Sequence, residues 1–169
     1  EIALFRQWII EGGDYQDFWA FIPPEKTKPA QVRNQDWVSN YIDNRVLASL
    51  EEQGLKPGDQ ADKRTLIRRA TLDLTGLPPT LEEIKSFLED NSSKAYAKLV
   101  DRLLSRKSYG EHMARYWADL VRLADTNGMH HDFDRDFSSY RDWVIRSYNN
   151  NLPFDDFIKY QLAGDLYED

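Results

Sequence analysis

The chain has 169 residues, 41% of them apolar and 30% charged, an ordinary globular balance that excludes wholesale disorder, a collagen-like polymer and a multispan membrane protein. Acidic residues outnumber basic ones, 29 to 22, and a formal charge of -7 argues against nonspecific nucleic-acid binding, because phosphates are held by positive surface. The lack of cysteine removes disulfides, thiolate metal sites, a cysteine nucleophile and the C-x-x-C-H attachment of haem.

No apolar run approaches the ~20 residues that a membrane-spanning helix needs. The chain opens at Glu1, already inside a helical pattern and with no basic leader, which is expected of a piece of something longer. In that opening segment Leu4, Phe5, Trp8 and Ile9 share one helical face, and Gly12-Gly13 supplies a stop. Residues 14–36 hold Pro23, Pro24 and Pro29 without a helical period, so they read as an extended connector whose Phe18, Trp19 and Phe21 are expected against a neighbouring surface.

From Asn40 the pattern is helical throughout. The first helix is capped by Asn40 and stopped by Gly54, with Ile42, Val46, Leu47 and Leu50 expected inside. A second, about 61–74, carries Leu66, Ile67, Ala70 and Leu74 and ends before Gly76-Leu77-Pro78-Pro79. Thr80 and Glu83 have the spacing of a capping box, opening a helix with Leu81, Ile84, Phe87 and Leu88 inward. Tyr96 to Leu104 fits a further helix, and Ser108 with Glu111 repeats the capping-box spacing. Another helix begins near Ser138, and Pro153 is placed as the first residue of a last one carrying Phe157 and Ile158. No segment reads as a strand, so the expected fold is all-α: an irregular bundle of about six or seven short helices behind an extended connector.

The polar residues of interest run from Arg115 to Asp142. Continued as one helix, the segment after Ser108 stacks Arg115, Asp119, Arg122 and Thr126 on one face. That stripe reads either as a solvated face with exchangeable ion pairs or as charges held under cover for binding. The helix is expected to end in Ala124-Asp125-Thr126-Asn127-Gly128, with Gly128 at positive φ. The loop that follows gathers His130, His131, Asp132, Asp134 and Asp136, but in the spacing of no metal motif, so it reads as an acidic surface loop and no metal is assigned. On the next helix, Tyr140 and Trp143 are either core or a sugar-stacking platform. Nothing matches G-x-S-x-G, a P-loop, H-E-x-x-H or a dinucleotide fingerprint.

The strings FWAFIPP, LIRRATLDLTGLPPTLEEIKSFL, YAKLVDRLLSRKSYGEHMARYWADLVRLADTNG and YRDWVIRSYNNNLPFDDFIKYQLAGD resemble the planctomycete-type cytochrome-associated domain of unknown function, the second domain of that architecture. The resemblance runs from Trp19 to Asp165, and residues 1–13 look like the closing helix of the cytochrome c-like domain that precedes it. It implies three parts: that closing helix at 1–13, a connector at 14–36, and a helical domain at 37–169 that is expected to be cut short at its C-terminus. It also implies an exported multidomain protein, periplasmic or at the cell surface, acting in polysaccharide metabolism. Haem c would sit only in the upstream domain, with no cofactor in this chain. The implied partners are the neighbouring domains and a glycan, with no nucleic acid and no membrane span.

Two functional readings come from these residues, one of them a docking or substrate-presenting module. The other is an enzyme or half-site for an anionic, sulfated or uronic glycan, with Asp119 or Asp125 as acid or base. In that reading Arg122, Asn127, Arg141, Asp142, Trp143 and Asp165 form the binding set, the arginines holding the anion. A carbohydrate-binding module is a third expectation. The enzyme reading requires the Asp and Arg side chains to meet in one sheltered place.

Overall fold

A computed structural model describes residues 1–166 as eight α-helices and three short 3-10 turns, with no strand among them. The chain forms two compact units, Glu1–Asp59 and a second beginning at Gln60. No helix among the described residues is long and apolar enough to cross a membrane.

In the first unit, α1 (Ile2–Ile10) buries none of its residues. It ends where the Gly13 N–H reaches the Trp8 carbonyl at 2.9 Å, a closure that needs the positive φ of 112° at Gly12. The connector makes 3-10 turns at Trp19–Phe21 and Gln35–Trp37. Phe18, Trp19 and Phe21 touch one another, with centroids 5.7 and 5.9 Å apart, but are exposed and not packed under a neighbouring surface as expected.

The connector is held by polar groups of α2 (Tyr41–Glu52). Asn44, only 4% exposed, accepts the Ala30 N–H at 2.7 Å and donates to the Ala30 carbonyl at 2.9 Å. Arg45 donates to the Lys28 carbonyl at 3.0 Å and to the Thr27 hydroxyl, and the Glu51 carboxylate accepts the Arg33 N–H at 3.0 Å. Buried or half-buried backbone groups need partners, and here side chains supply them in place of a regular element. Asn40 caps α2 as expected, accepting from Ile42 and Asp43, and Gly54 follows its end with φ 70°. Of the four residues expected inside, Leu47 is buried and Leu50 half-buried, whereas Ile42 and Val46 are exposed. The reason is that the connector covers α2 through Asn44, Arg45 and Glu51.

The second unit begins with α3 (Lys63–Thr75), capped by Asp62 and stopped by Gly76 at φ 69°. Its buried Thr71 and Thr75 satisfy their hydroxyls on the carbonyls four residues back, each at 2.7 Å. In α4 (Leu81–Glu89) the Thr80–Glu83 capping box forms, and the Glu83 carboxylate also pairs with Arg106. Leu81 is exposed, against expectation. With α5 (Ala95–Leu104), these helices enclose Ile67, Ala70, Phe87, Leu99 and Leu103. The Lys63 ammonium closes the far end of α4, donating to the Leu88 and Asp90 carbonyls at 3.2 and 2.7 Å.

A second hydrophobic cluster joins α6 (Lys107–Leu120), α7 (Ser138–Asn149) and α8 (Phe154–Ala163) around Ala114, Val144 and Phe157. The length of the chain suggests one core, but this unit has two, because α6 presents one flank to α3 and another to α7 and α8. At the α3 flank, the His112 ring lies 2.5 Å from where a Cβ on Gly76 would stand. Three boundaries differ from expectation. The Ser108–Glu111 capping box does not form, since α6 begins at Lys107 and takes its cap from α7. Pro153 precedes α8 as its flanking residue and is not its first turn. The third difference, the end of α6, shapes the site.

Candidate functional site

The helix expected to reach Ala124 stops at Leu120. The Leu123 N–H bonds back to the Ala118 carbonyl at 2.8 Å and the Arg122 N–H to the Asp119 carbonyl at 3.2 Å, with Arg122 at φ 58°. That is the closing motif that glycine serves elsewhere at Gly12 and Gly54, and asparagine at Asn151. For arginine the left-handed region costs on the order of 1 kcal/mol, from the clash of Cβ with the following carbonyl. With the helix ended, the 3.6-residue period no longer relates Arg115 and Asp119 to Arg122 and Thr126, and the expected charged stripe is broken.

Residues beyond the turn fold back on themselves. Thr126 and Asp134 form an isolated antiparallel bridge, flanked by Arg135 N–H to the Asp125 carbonyl at 2.7 Å and Asn127 N–H to the Phe133 carbonyl at 3.3 Å. Gly128 takes the expected positive φ, 65°, and its N–H is accepted by the Asp132 carboxylate at 2.8 Å. The Asp136 carboxylate accepts the Ser138 N–H at 2.9 Å where α7 begins. Bonds from the Ser138 hydroxyl and backbone hold that carboxyl below its ordinary pKa. The His130 and His131 rings lie 4.4 Å apart, and among the described residues no group of three His, Asp or Glu side chains is placed to hold a metal ion.

This fold-back and the end of α6 bound a cleft of about 690 Å³. Its polar wall is Arg122, Thr126, Asn127 and Arg135, and its aromatic wall is Phe137 with Tyr140. Arg135 is fixed in place, its Nε donating to Asn127 Oδ1 at 2.7 Å. Tyr140 is fixed too: its hydroxyl accepts from Trp117 Nε1 at 3.0 Å and donates to Gln161 Oε1 at 2.7 Å, tying α6, α7 and α8 together.

Of the residues expected at a site, the structure brings Arg122 and Asn127 together here and leaves the others elsewhere. Asp119 projects into solvent, its side chain 85% exposed, and among the described residues it pairs only with an equally open Arg122 at 3.5 Å. Asp125 is exposed and meets the fold-back through its backbone carbonyl. Arg141 and Asp142 are exposed and face each other at 3.7 Å, outside the cleft. Trp143 is half-buried, stacked on Phe157 at 5.2 Å and on Tyr140 at 6.4 Å, so its ring faces serve the core. Asp165 sits exposed in the terminal 3-10 turn, Gly164–Leu166. The convergence of Asp119, Asp125, Arg122 and Arg141 that a catalytic cluster requires is therefore not formed. Arg135 and Phe137 join Arg122 and Asn127 in lining the cleft. Their one signal in the sequence is a single basic residue amid aspartates, opposite Asn127 once the loop folds back.

Fold and site together define an all-helical module with an arginine-lined cleft at the end of one helix. The chain belongs to the PSCyt2 family, described as Protein of unknown function (DUF1549), whose pattern it matches over residues 41–169. No curated protein and no solved structure matches it.

Proposed function

We infer that the chain is a docking or substrate-presenting module of an exported multidomain protein, in which it seats a c-type cytochrome-like domain beside domains that handle polysaccharide. The observation that carries this reading is the aromatic run of the connector. Trp19 and Phe21 are 77% and 85% exposed although the backbone beyond them is fastened by Asn44, Arg45 and Glu51. Rings in such numbers at a surface mark interaction sites, because each leaves a large apolar area in water. The all-exposed α1 adds Phe5 and Ile9 to the same unit, as expected of a helix whose apolar face belongs to another domain's core. The cytochrome-like neighbour, the export and the polysaccharide context are supported by the family resemblance of the sequence.

The test is association of the 169-residue chain with the cytochrome-like domain supplied separately, followed by haem absorbance during size-exclusion chromatography. The two should co-elute, and a Trp19→Ser/Phe21→Ser double variant should weaken the association at least tenfold. Separate elution at concentrations of tens of micromolar would refute the reading.

A further inference from the structure

We propose that the cleft between the end of α6 and the fold-back loop binds a small organic anion, a carboxylate or sulfate ester carried on a ring or other apolar body. The first ground is the sign of its lining. In a chain of net charge -7 the cleft is walled by two arginines, Arg122 and Arg135, and by no carboxylate among the described residues. Of the neighbouring acids, Asp132 is engaged on the Gly128 N–H and Asp136 on the Ser138 N–H, while Asp125 and Asp134 do not line the cleft. Asp119 meets Arg122 only as an open surface pair, which a bound anion readily replaces.

The second ground is geometry. Asn127 holds Arg135 by its Nε, which fixes the plane of the guanidinium and leaves its two terminal nitrogens without a protein partner among the described residues. A planar fork of this kind suits the paired oxygens of a carboxylate or sulfate. Opposite it, Phe137 and the immobilised Tyr140 offer an apolar wall, and Leu123 extends it. A volume near 690 Å³ lies within the range of about 300–1,000 Å³ typical of small-molecule sites.

The third ground is independent of both. Arg122 occupies a left-handed position that glycine or asparagine fills in the equivalent turns of this chain. Strained conformations of this kind gather at ligand-binding sites, where the side chain is worth its backbone cost.

The experiment is a titration of the 169-residue chain followed by ¹H–¹⁵N NMR, including the arginine Nε–H signals, with benzoate, phenyl sulfate, benzyl alcohol and inorganic sulfate as probes. Benzoate and phenyl sulfate should shift the Arg135 Nε–H and Tyr140 amide signals saturably. Benzyl alcohol and inorganic sulfate should each bind at least tenfold more weakly, since one lacks the charge and the other the ring. Arg135→Gln and Arg122→Gly should each weaken benzoate about tenfold, or 1.4 kcal/mol. The glycine variant keeps the turn, because glycine adopts φ 58° without strain. The proposal is overturned if benzyl alcohol binds as tightly as benzoate, if inorganic sulfate equals phenyl sulfate, if both variants bind like the parent, or if neither organic anion gives a saturable shift.

Discussion

Asn149, near the end of α7, caps the start of α6 at Gly110: its Oδ1 accepts the Gly110 N–H at 2.9 Å while its Nδ2 donates to the Lys107 carbonyl at 3.2 Å. The two helices cross so closely there that a Cβ on Gly110 would stand 2.5 Å from the Ile145 carbonyl and 2.6 Å from the Asn149 amide. Ala in place of a helical glycine ordinarily stabilises by up to about 1 kcal/mol. At Gly110 the contact with backbone outweighs that gain, since overpacking a close crossing costs roughly 1–3 kcal/mol. Gly110→Ala is expected to lower stability in urea unfolding, and Asn149→Ala to cost about 1 kcal/mol for the lost cap. An unchanged or raised urea midpoint for Gly110→Ala would show that the helices can part without penalty.

Arg122→Gly is expected to do the reverse. It removes a Cβ from a left-handed position and an exposed ion pair of little worth. The net gain should be about 0.5–1 kcal/mol, read as a rise of a few degrees in melting temperature. Arg122→Ala, which keeps the Cβ, should show no such rise. Equal melting temperatures for the two variants would remove the claim of strain.

What could be read from the sequence was whatever depends on residues close in the chain. Asn40, the Thr80–Glu83 box, Gly54 and Gly76 mark helix ends because capping acts over three or four residues. The start of α6 was illegible because its partner, Asn149, lies 39 residues from Gly110. Its end was hidden for a different reason: an arginine takes a conformation that composition assigns to glycine, and Gly128 offered a more ordinary stop six residues later. The fastening of the connector by Asn44, Arg45 and Glu51 was equally out of reach, since polar residues on a helix announce no distant backbone partner. Losing the last turn of α6 is also what leaves Arg122 and Asn127, but neither Asp119 nor Asp125, lining the cleft.

Asn44→Ala should release the connector. The change strips both the N–H and the carbonyl of Ala30 of their partner, at a cost of about 2–3 kcal/mol. Hydrogen exchange at the Ala30 amide should speed at least tenfold, while amides of α3 and α5 keep their protection. Uniform acceleration across those helices would mean that Asn44 supports the whole chain and not the strap alone.

The last prediction concerns acid. Asp90 follows α4, and its carboxyl is lowered from the ordinary 3.8 to about 2, by bonds from the Ser92 hydroxyl and backbone and then from Lys98. Its Oδ1 accepts the Ser92 N–H at 2.8 Å and its Oδ2 meets Lys98 at 3.1 Å. A carboxyl whose pKa is lower folded than unfolded releases its proton more readily in the native state, so it stabilises the fold at pH values above the unfolded pKa. That contribution is complete above about pH 5 and fades as pH falls from about 4 towards 2, where native Asp90 takes up a proton and the bonds to Ser92 and Lys98 weaken. Asp62, bonded to Thr65, and Asp136, bonded to Ser138, shift in the same direction, so the parent protein alone does not isolate Asp90. Asp90→Asn retains an acceptor for Ser92 but has no proton to gain. Its melting temperature should lie below that of the parent at pH 6, and the gap should narrow steadily between pH 4 and pH 2 as the parent loses what the variant never had. A gap that stays constant over that interval would mean that the Asp90 charge does not support the junction between α4 and α5.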